Sequence, residues 1–223
     1  MAARLFDRLK EAAGPEWTGY TRHEFVRRLG DGSLPEASFR HYLIQDYLFL
    51  IHFARAYALA VYKSDTLADM RQAGASLSAI LDLEMGLHVG FCAGWGLDEA
   101  AMAASPEAAG TLAYTRYVLE RGTAGDLLDL HVALAPCIVG YAEIAAELTA
   151  DPATRLEGNP YRAWIEMYAG EEYRAVAAAE VAQLDSLYGR RGGEARFPDL
   201  ARTFTTASRL EAGFWEMGLK LLP

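Results

Sequence analysis

Apolar residues recur every three or four positions along most of the chain, in long runs parted by short polar or glycine-bearing breaks, and the period-two alternation of strands is nearly absent. That pattern predicts an all-α protein. Leu5, Phe6 and Leu9 give the first helix its apolar stripe, and a second helix is expected over Trp17 to Leu29. After the turn GDGSLP, Ser33 and Glu36 have capping-box spacing, in which the serine oxygen and the glutamate each satisfy an orphan amide. The helix that follows, about Leu34 to Lys63, contains FRHYLIQDYLFLIHFARAYALAVY. It is apolar over more than half of its circumference, which places it in the middle of a bundle.

A further long helix is expected from Leu67 to Ala93, ending near the glycines of AGWG. Asp98 to Ala104 reads as a short helix, and Ser105 followed by Pro106 starts another that runs to about Arg121, where GTAG breaks it. Asp126 to Leu148 carries ALAPCIVGYAEIA, with Pro136 expected to kink it. DPATRLEGNP is the longest surface connection and ends with Asn159 as cap and Pro160 at the first helical position. Tyr161 to Tyr168, Glu171 to Tyr188 and Asp199 to Leu219 complete the series. With no internal repeat and no linker of domain-separating composition, the 223 residues, 52% of them hydrophobic, are expected to form one domain, 1–223.

Net charge changes the range of partners. At −9 the chain has no general attraction for phosphate backbones or anionic lipid, which argues against nucleic acid and membrane surfaces and leaves a small cationic or neutral ligand admissible. The N-terminal MAARLFDRLKEAAG reads as a mature helix and not as a secretory signal, and no run of 18 uncharged apolar residues suggests a spanning segment. Cys92 and Cys137 are too few for a disulfide scaffold and form no CxxC pair, so both are expected reduced, in a cytoplasmic protein.

Several polar residues fall on apolar faces. Asp46 lies among Leu43, Phe49, Leu50 and Phe53, and a carboxylate buried there needs a partner, either another protein side chain or the amino group of a ligand. Cys137 and Tyr141 share a face with Leu134, although free cysteine often serves simply as a small buried hydrophobe. Glu211 precedes Phe214 and Trp215 by three and four positions, so it faces inward if they do, as a salt-bridged or a working glutamate. Tyrosines inside apolar helices, Tyr47, Tyr114, Tyr117, Tyr141 and Tyr168 among them, suit either a core or the walls of a slot for a planar ring.

Glu84 and His88 are four apart, whereas carboxylate-bridged dimetal bundles use a three-residue spacing, so no metal site is expected. His23 is a weak candidate for haem ligation. Phosphate-cradling glycine motifs, HExxH and the G-x-S-x-G elbow are all missing from the sequence.

Taken in order, FRHYLIQDYLFL, LAYTRYVL, PCIVGYAEIA, NPYRAWIEMY and RLEAGFWEM resemble the TenA family, also called thiaminase II or aminopyrimidine aminohydrolase, over essentially the whole chain. The resemblance implies a haem-oxygenase-like multi-helix bundle, a homotetramer, and a cofactor-free hydrolase acting on a small-molecule aminopyrimidine or on thiamin. It implies Cys137 as nucleophile, Glu211 as proton-transfer group and Asp46 as the grip on the amino-substituted edge of the pyrimidine. Phe49, Tyr114, Tyr141 and Tyr168 match its ring-stacking and hydroxyl-bearing positions. Where members often have an aromatic between the cysteine and the tyrosine, this chain has Ile138, Val139 and Gly140, a departure that implies a wider pocket. The alternatives are a haem- or quinone-handling enzyme of the same fold and a non-catalytic pyrimidine-binding regulator.

Overall fold

A computed structural model describes residues 3–223, and all regular structure in them is helical. The helices are α1 (Leu5–Ala13), α2 (Pro15–Thr21), α3 (Glu24–Asp31), α4 (Glu36–Lys63), α5 (Leu67–Ser78), α6 (Met85–Ala93), α7 (Glu99–Ala103), α8 (Ala109–Ala124), α9 (Leu127–Ala150), α10 (Arg162–Ala169), α11 (Glu171–Arg191) and α12 (Phe197–Lys220). A π-helical segment, Ala79–Glu84, joins α5 to α6 without interruption.

At the centre stands α9, packed against α4, α8, α10, α11 and α12. Its apolar residues run all round the helix, and an 18-residue window of it is 94% buried, against 28% for the less hydrophobic stretch Leu67–Ala93 on the outside. Asp126 starts α9 with a capping box: its carboxylate accepts from the amides of Leu128 and Asp129, and the Asp129 carboxylate accepts from the amide of Asp126. Arg196, from the segment before α12, pairs with both acids and so ties the two chain regions together. Deeper in, His131 Nδ1 lies 2.7 Å from Glu180 Oε1 of α11, and the Tyr57 hydroxyl of α4 donates to Glu180 Oε2 at 3.2 Å.

Helical structure continues through Pro136. The Tyr20 hydroxyl of α2 donates to the Pro136 carbonyl at 3.1 Å, and Gly140 is the residue that lets the Tyr20 ring come so close. A Cβ there would stand 2.5 Å from the ring and 2.6 Å from its hydroxyl. The space beside Gly140 is therefore filled by Tyr20, which corrects the expectation that this glycine widens a pocket.

Four expected boundaries are also corrected, each by a specific contact. The stretch Trp17 to Leu29 divides into α2 and α3, because His23 is extended and its Nδ1 accepts from the Phe25 amide as an N-cap. The Ser33–Glu36 capping box does not form. Pro35 occupies the cap position of α4, which disfavours helical backbone at Leu34, and the Ser33 amide donates instead to Asp31. Ser105 to Ala108 stays outside α8 because Gln45 of α4 takes both the Pro106 carbonyl and the Ala108 amide. Finally, α10 begins at Arg162. Asn159 holds its connection to the end of α3, donating to the carbonyls of Leu29 and Gly30 while accepting from the Tyr161 amide.

Candidate active site

Five helices carry the seven candidate residues: Asp46 and Phe49 on α4, Tyr114 on α8, Cys137 and Tyr141 on α9, Tyr168 on α10, and Glu211 on α12. None is more than 5% exposed. They form one connected neighbourhood. The Phe49 and Tyr114 rings lie 4.9 Å apart, and Tyr114 donates from its hydroxyl to Glu211 Oε1 at 2.7 Å. On the other side the rings of Tyr141 and Tyr168 also lie 4.9 Å apart, with Trp164 and Trp215 against them.

Asp46 Oδ2 accepts from the Tyr42 hydroxyl at 2.8 Å and lies 2.6 Å from Nε2 of His88. Tyr42 in turn accepts from Trp164 Nε1 at 3.2 Å and stands 3.5 Å from the Tyr141 hydroxyl. On its other side His88 Nδ1 is 2.8 Å from the carbonyl oxygen of Glu84. A carbonyl can only accept, so Nδ1 bears a proton, and a second proton on Nε2 satisfies the Asp46 carboxylate; imidazolium is the form that fits both. Burial alone would lower the His88 pKa. The charge and hydrogen bond of Asp46, assisted by Glu84, more than offset it, and the pKa is raised. Asp46 Oδ1 meets no protein donor among the described residues, both contacts falling on Oδ2.

Two acids here are held toward their neutral forms. Burial pushes Glu211 up to about 8, with the charges of Asp46 and Glu84 adding, while the hydrogen bond from Tyr114 and the nearby Cys137 thiol pull the other way. Glu84, which accepts from the Tyr168 hydroxyl at 2.7 Å, is raised to about 7 by burial and by Asp46, against the opposing charge of His88 and the hydrogen bond from Tyr168. Burial also drives the Cys137 thiol well above its ordinary value, and the three nearby carboxyls reinforce the effect. The site thus holds a neutral thiol beside a carboxyl that carries its own proton near neutral pH.

Tyr42, Glu84, His88 and Trp164 were missed in the sequence. The four-residue spacing of Glu84 and His88 in an apolar segment was a usable signal, but comparison with dimetal spacing set it aside. Cys92 lies buried apart from this network, its thiol pushed up to about 11 by burial alone. His23 also lies elsewhere: Nδ1 caps α3 and Nε2 faces Glu216 Oε2 at 3.6 Å.

A family model described as the TENA/THI-4/PQQC family matches residues 11–221. The chain is 41% identical to an uncharacterized protein of Haemophilus influenzae, over 97% of this chain and all of that one. It is 37% identical to an aminopyrimidine aminohydrolase of Halalkalibacterium halodurans, over 94% of this chain and 92% of the relative. Among solved structures, one described as a TenA family transcription regulator from a Silicibacter species superposes with a TM-score of 0.92 at 47% identity, over 97% of each chain. A Shewanella denitrificans domain of heme oxygenase-like fold superposes with a TM-score of 0.74 over 97% of this chain and 92% of that one. At 15% identity that last likeness concerns the fold alone, and it identifies the bundle as haem-oxygenase-like.

Proposed function

The chain belongs to the TENA/THI-4/PQQC family, and on that premise we propose that it hydrolyses 4-amino-5-aminomethyl-2-methylpyrimidine to the 5-hydroxymethyl pyrimidine and ammonia, a salvage step for the pyrimidine half of thiamin. Hydrolysis of thiamin is the related reaction of the same site. One observation carries the proposal: a thiol, a proton-bearing carboxyl and a cation-backed carboxylate meet inside one aromatic enclosure. Relatives named aminopyrimidine aminohydrolase support the hydrolase assignment.

The protonation states set the order of events. Asp46 Oδ1 accepts from the ring amino group and fixes the pyrimidine between the aromatic walls; misplacement by about 1 Å would cost on the order of a hundredfold in rate. As Sγ of Cys137 adds to a ring carbon, Glu211 gives its proton to a ring nitrogen and takes the one the thiol releases. No thiolate has to exist in the low-dielectric site beforehand. The electrons now held by the reduced ring expel ammonia from the protonated aminomethyl group, the C–N pair leaving with nitrogen. Water adds to the methylene and loses a proton. The S–C pair then departs with sulfur, the ring nitrogen releases its proton and the aromatic ring returns, so that the net change is amine plus water to alcohol plus ammonia.

Incubating the purified protein with the aminopyrimidine, its N-formyl relative and thiamin, and following products by chromatography, tests the proposal. Turnover of none of the three by the folded protein would overturn it. Tight binding without products would instead favour a pyrimidine-responsive regulator, the reading suggested by the description of the Silicibacter relative. For haem handling, a Soret band lost in His23→Ala would be required, yet His23 has both ring nitrogens engaged away from the site.

We further propose a cytoplasmic homo-oligomer, a tetramer in keeping with the resemblance, built from a single 1–223 domain. The largely uncovered apolar stretch Leu67–Ala93, with Leu67 and Leu81 at least half exposed, supports a face covered by a second copy, and both cysteines are free thiols.

A further inference from the structure

A small enclosed space, walled in part by the residue that follows Cys137, is bounded by Ser76 of α5, Ile80 and Glu84 of the π-helical segment, Ile138 of α9, and Tyr173 and Val176 of α11. Its walls are mostly apolar, but two of its side chains have unused hydrogen-bonding capacity. Tyr173 is 5% exposed and its hydroxyl has no partner among the described residues, an expensive state for a buried phenol. Glu84 is 6% exposed and meets a donor only at Oε1, from Tyr168; no protein group donates to Oε2 among the described residues. The space open to the centre of a water-sized sphere is about 10 Å3, which is room for roughly one water molecule or one ammonium group.

The charges around this space select between those occupants. Asp46 on α4, Glu84 on the π-helical segment and Glu211 on α12 outnumber the one positive group, His88 on α6. Cys137 on α9 and the tyrosines of α10 and α11 add no positive charge. A cation placed here favours the ionised form of Glu84, and a primary ammonium brings donors to a carboxyl oxygen and a phenol oxygen that have none.

Building on the aminopyrimidine reading above, we propose that this space is the subsite for the amino group on the 5-methylene of the substrate, its ammonium donating to Glu84 Oε2 and to the Tyr173 hydroxyl oxygen. Glu84 and Tyr173 are then specificity-determining residues: they recognise the group to be expelled, while Asp46 recognises the ring. A ligand with the same ring and an uncharged methyl at that position gains nothing from either. The alcohol product lacks the charge and binds less tightly than the amine.

Calorimetric titration in a Cys137→Ser background, where turnover is blocked, separates the two recognition elements. The ligands are 4-amino-5-aminomethyl-2-methylpyrimidine and its uncharged analogue 4-amino-2,5-dimethylpyrimidine. Glu84→Gln is expected to weaken the aminomethyl ligand by about tenfold or more and to leave the dimethyl analogue within about twofold, as loss of a charge-assisted bond requires. Tyr173→Phe, which deletes only an unpartnered hydroxyl and so decides the matter even if Glu84→Gln does not fold, is expected to weaken the aminomethyl ligand about threefold to tenfold with the same selectivity. Equal losses for both ligands, or no loss in either variant, would overturn the subsite. Binding of the dimethyl analogue without the aminomethyl ligand would overturn it while leaving the ring-binding site in place. If the Cys137→Ser protein binds neither ligand, the aminopyrimidine reading falls first and the subsite with it.

Discussion

His88 Nε2 stands 2.6 Å from Asp46 Oδ2 at a place where His88 has no exposed surface. A pair buried so fully is a weak source of net stability, yet removing one partner leaves the other charged and unsolvated. His88→Asn is therefore expected to cost about 3 to 5 kcal/mol in urea unfolding near pH 6. The pKa of His88 is raised in the folded protein, so the contribution of the pair is fully present below the unfolded histidine value of about 6.5 and is lost as pH rises through the folded value. The gap between wild type and His88→Asn should narrow toward alkaline pH; a gap that widens would contradict the ion pair.

Cys137→Ser should keep the fold, since a hydroxyl of nearly the same size replaces a buried thiol that lies near the Glu211 carboxyl. Turnover of the aminopyrimidine should fall by at least about a thousandfold, because an alkoxide is both harder to form and poorer at adding to the ring than sulfur. Retained circular dichroism with undiminished hydrolysis would remove Cys137 from the nucleophile's place.

Glu211 links activity to stability through one proton. Its carboxyl works as an acid below about 8, so kcat/KM should fall as pH rises through that region, and Glu211→Gln should abolish both the limb and most of the rate. Stability runs the same way. Between the unfolded carboxyl value near 4.5 and the folded value of about 8, the native state holds a proton that the unfolded chain has lost, so stability declines with rising pH over that window. Glu211→Gln can keep the Tyr114 hydrogen bond without the ionisation cost. It should match wild type near pH 4.5 and exceed it by on the order of 1 to 3 kcal/mol at pH 8.5, read from denaturant midpoints.

Gly140→Ala places a methyl group 2.5 Å from the Tyr20 ring, closer than atoms can remain, so either α2 or α9 must shift. A loss of about 1 to 3 kcal/mol is expected, with reduced activity because Cys137 lies one turn away on the same helix. Tyr20→Leu in the same chain should recover part of the stability. Full additivity of the two substitutions would show that Tyr20 is not what Gly140 accommodates.

The long helices were legible because their pattern needs no partner to be read: α9 is apolar nearly all round and α4 over more than half its circumference, which already marks them as interior. The breaks that misled depend on contacts from far along the chain, such as Gln45 holding Ser105–Ala108 open across about sixty residues. Where a local rule decided the matter, as Pro35 does for the start of α4, a stricter reading would have found it. Asp46, Cys137 and Glu211 each stand out as polar residues on apolar faces, but their joint roles came from family resemblance, since residues on three different helices share no spacing. The partnership of His88 with Asp46 spans 42 positions, and no periodicity reports it.

Enclosing Cys137 within α9 and the helices packed around it also bears on oxidative damage. Peroxide attacks sulfur chiefly as the anion, and this sulfur is 5% exposed and held in its protonated form by burial and by three carboxyls. A cell under peroxide stress would convert many accessible low-pKa cysteines to sulfenic acid before this one, so under the proposed function the walls that keep the thiol inert at rest would also preserve it until a substrate arrives.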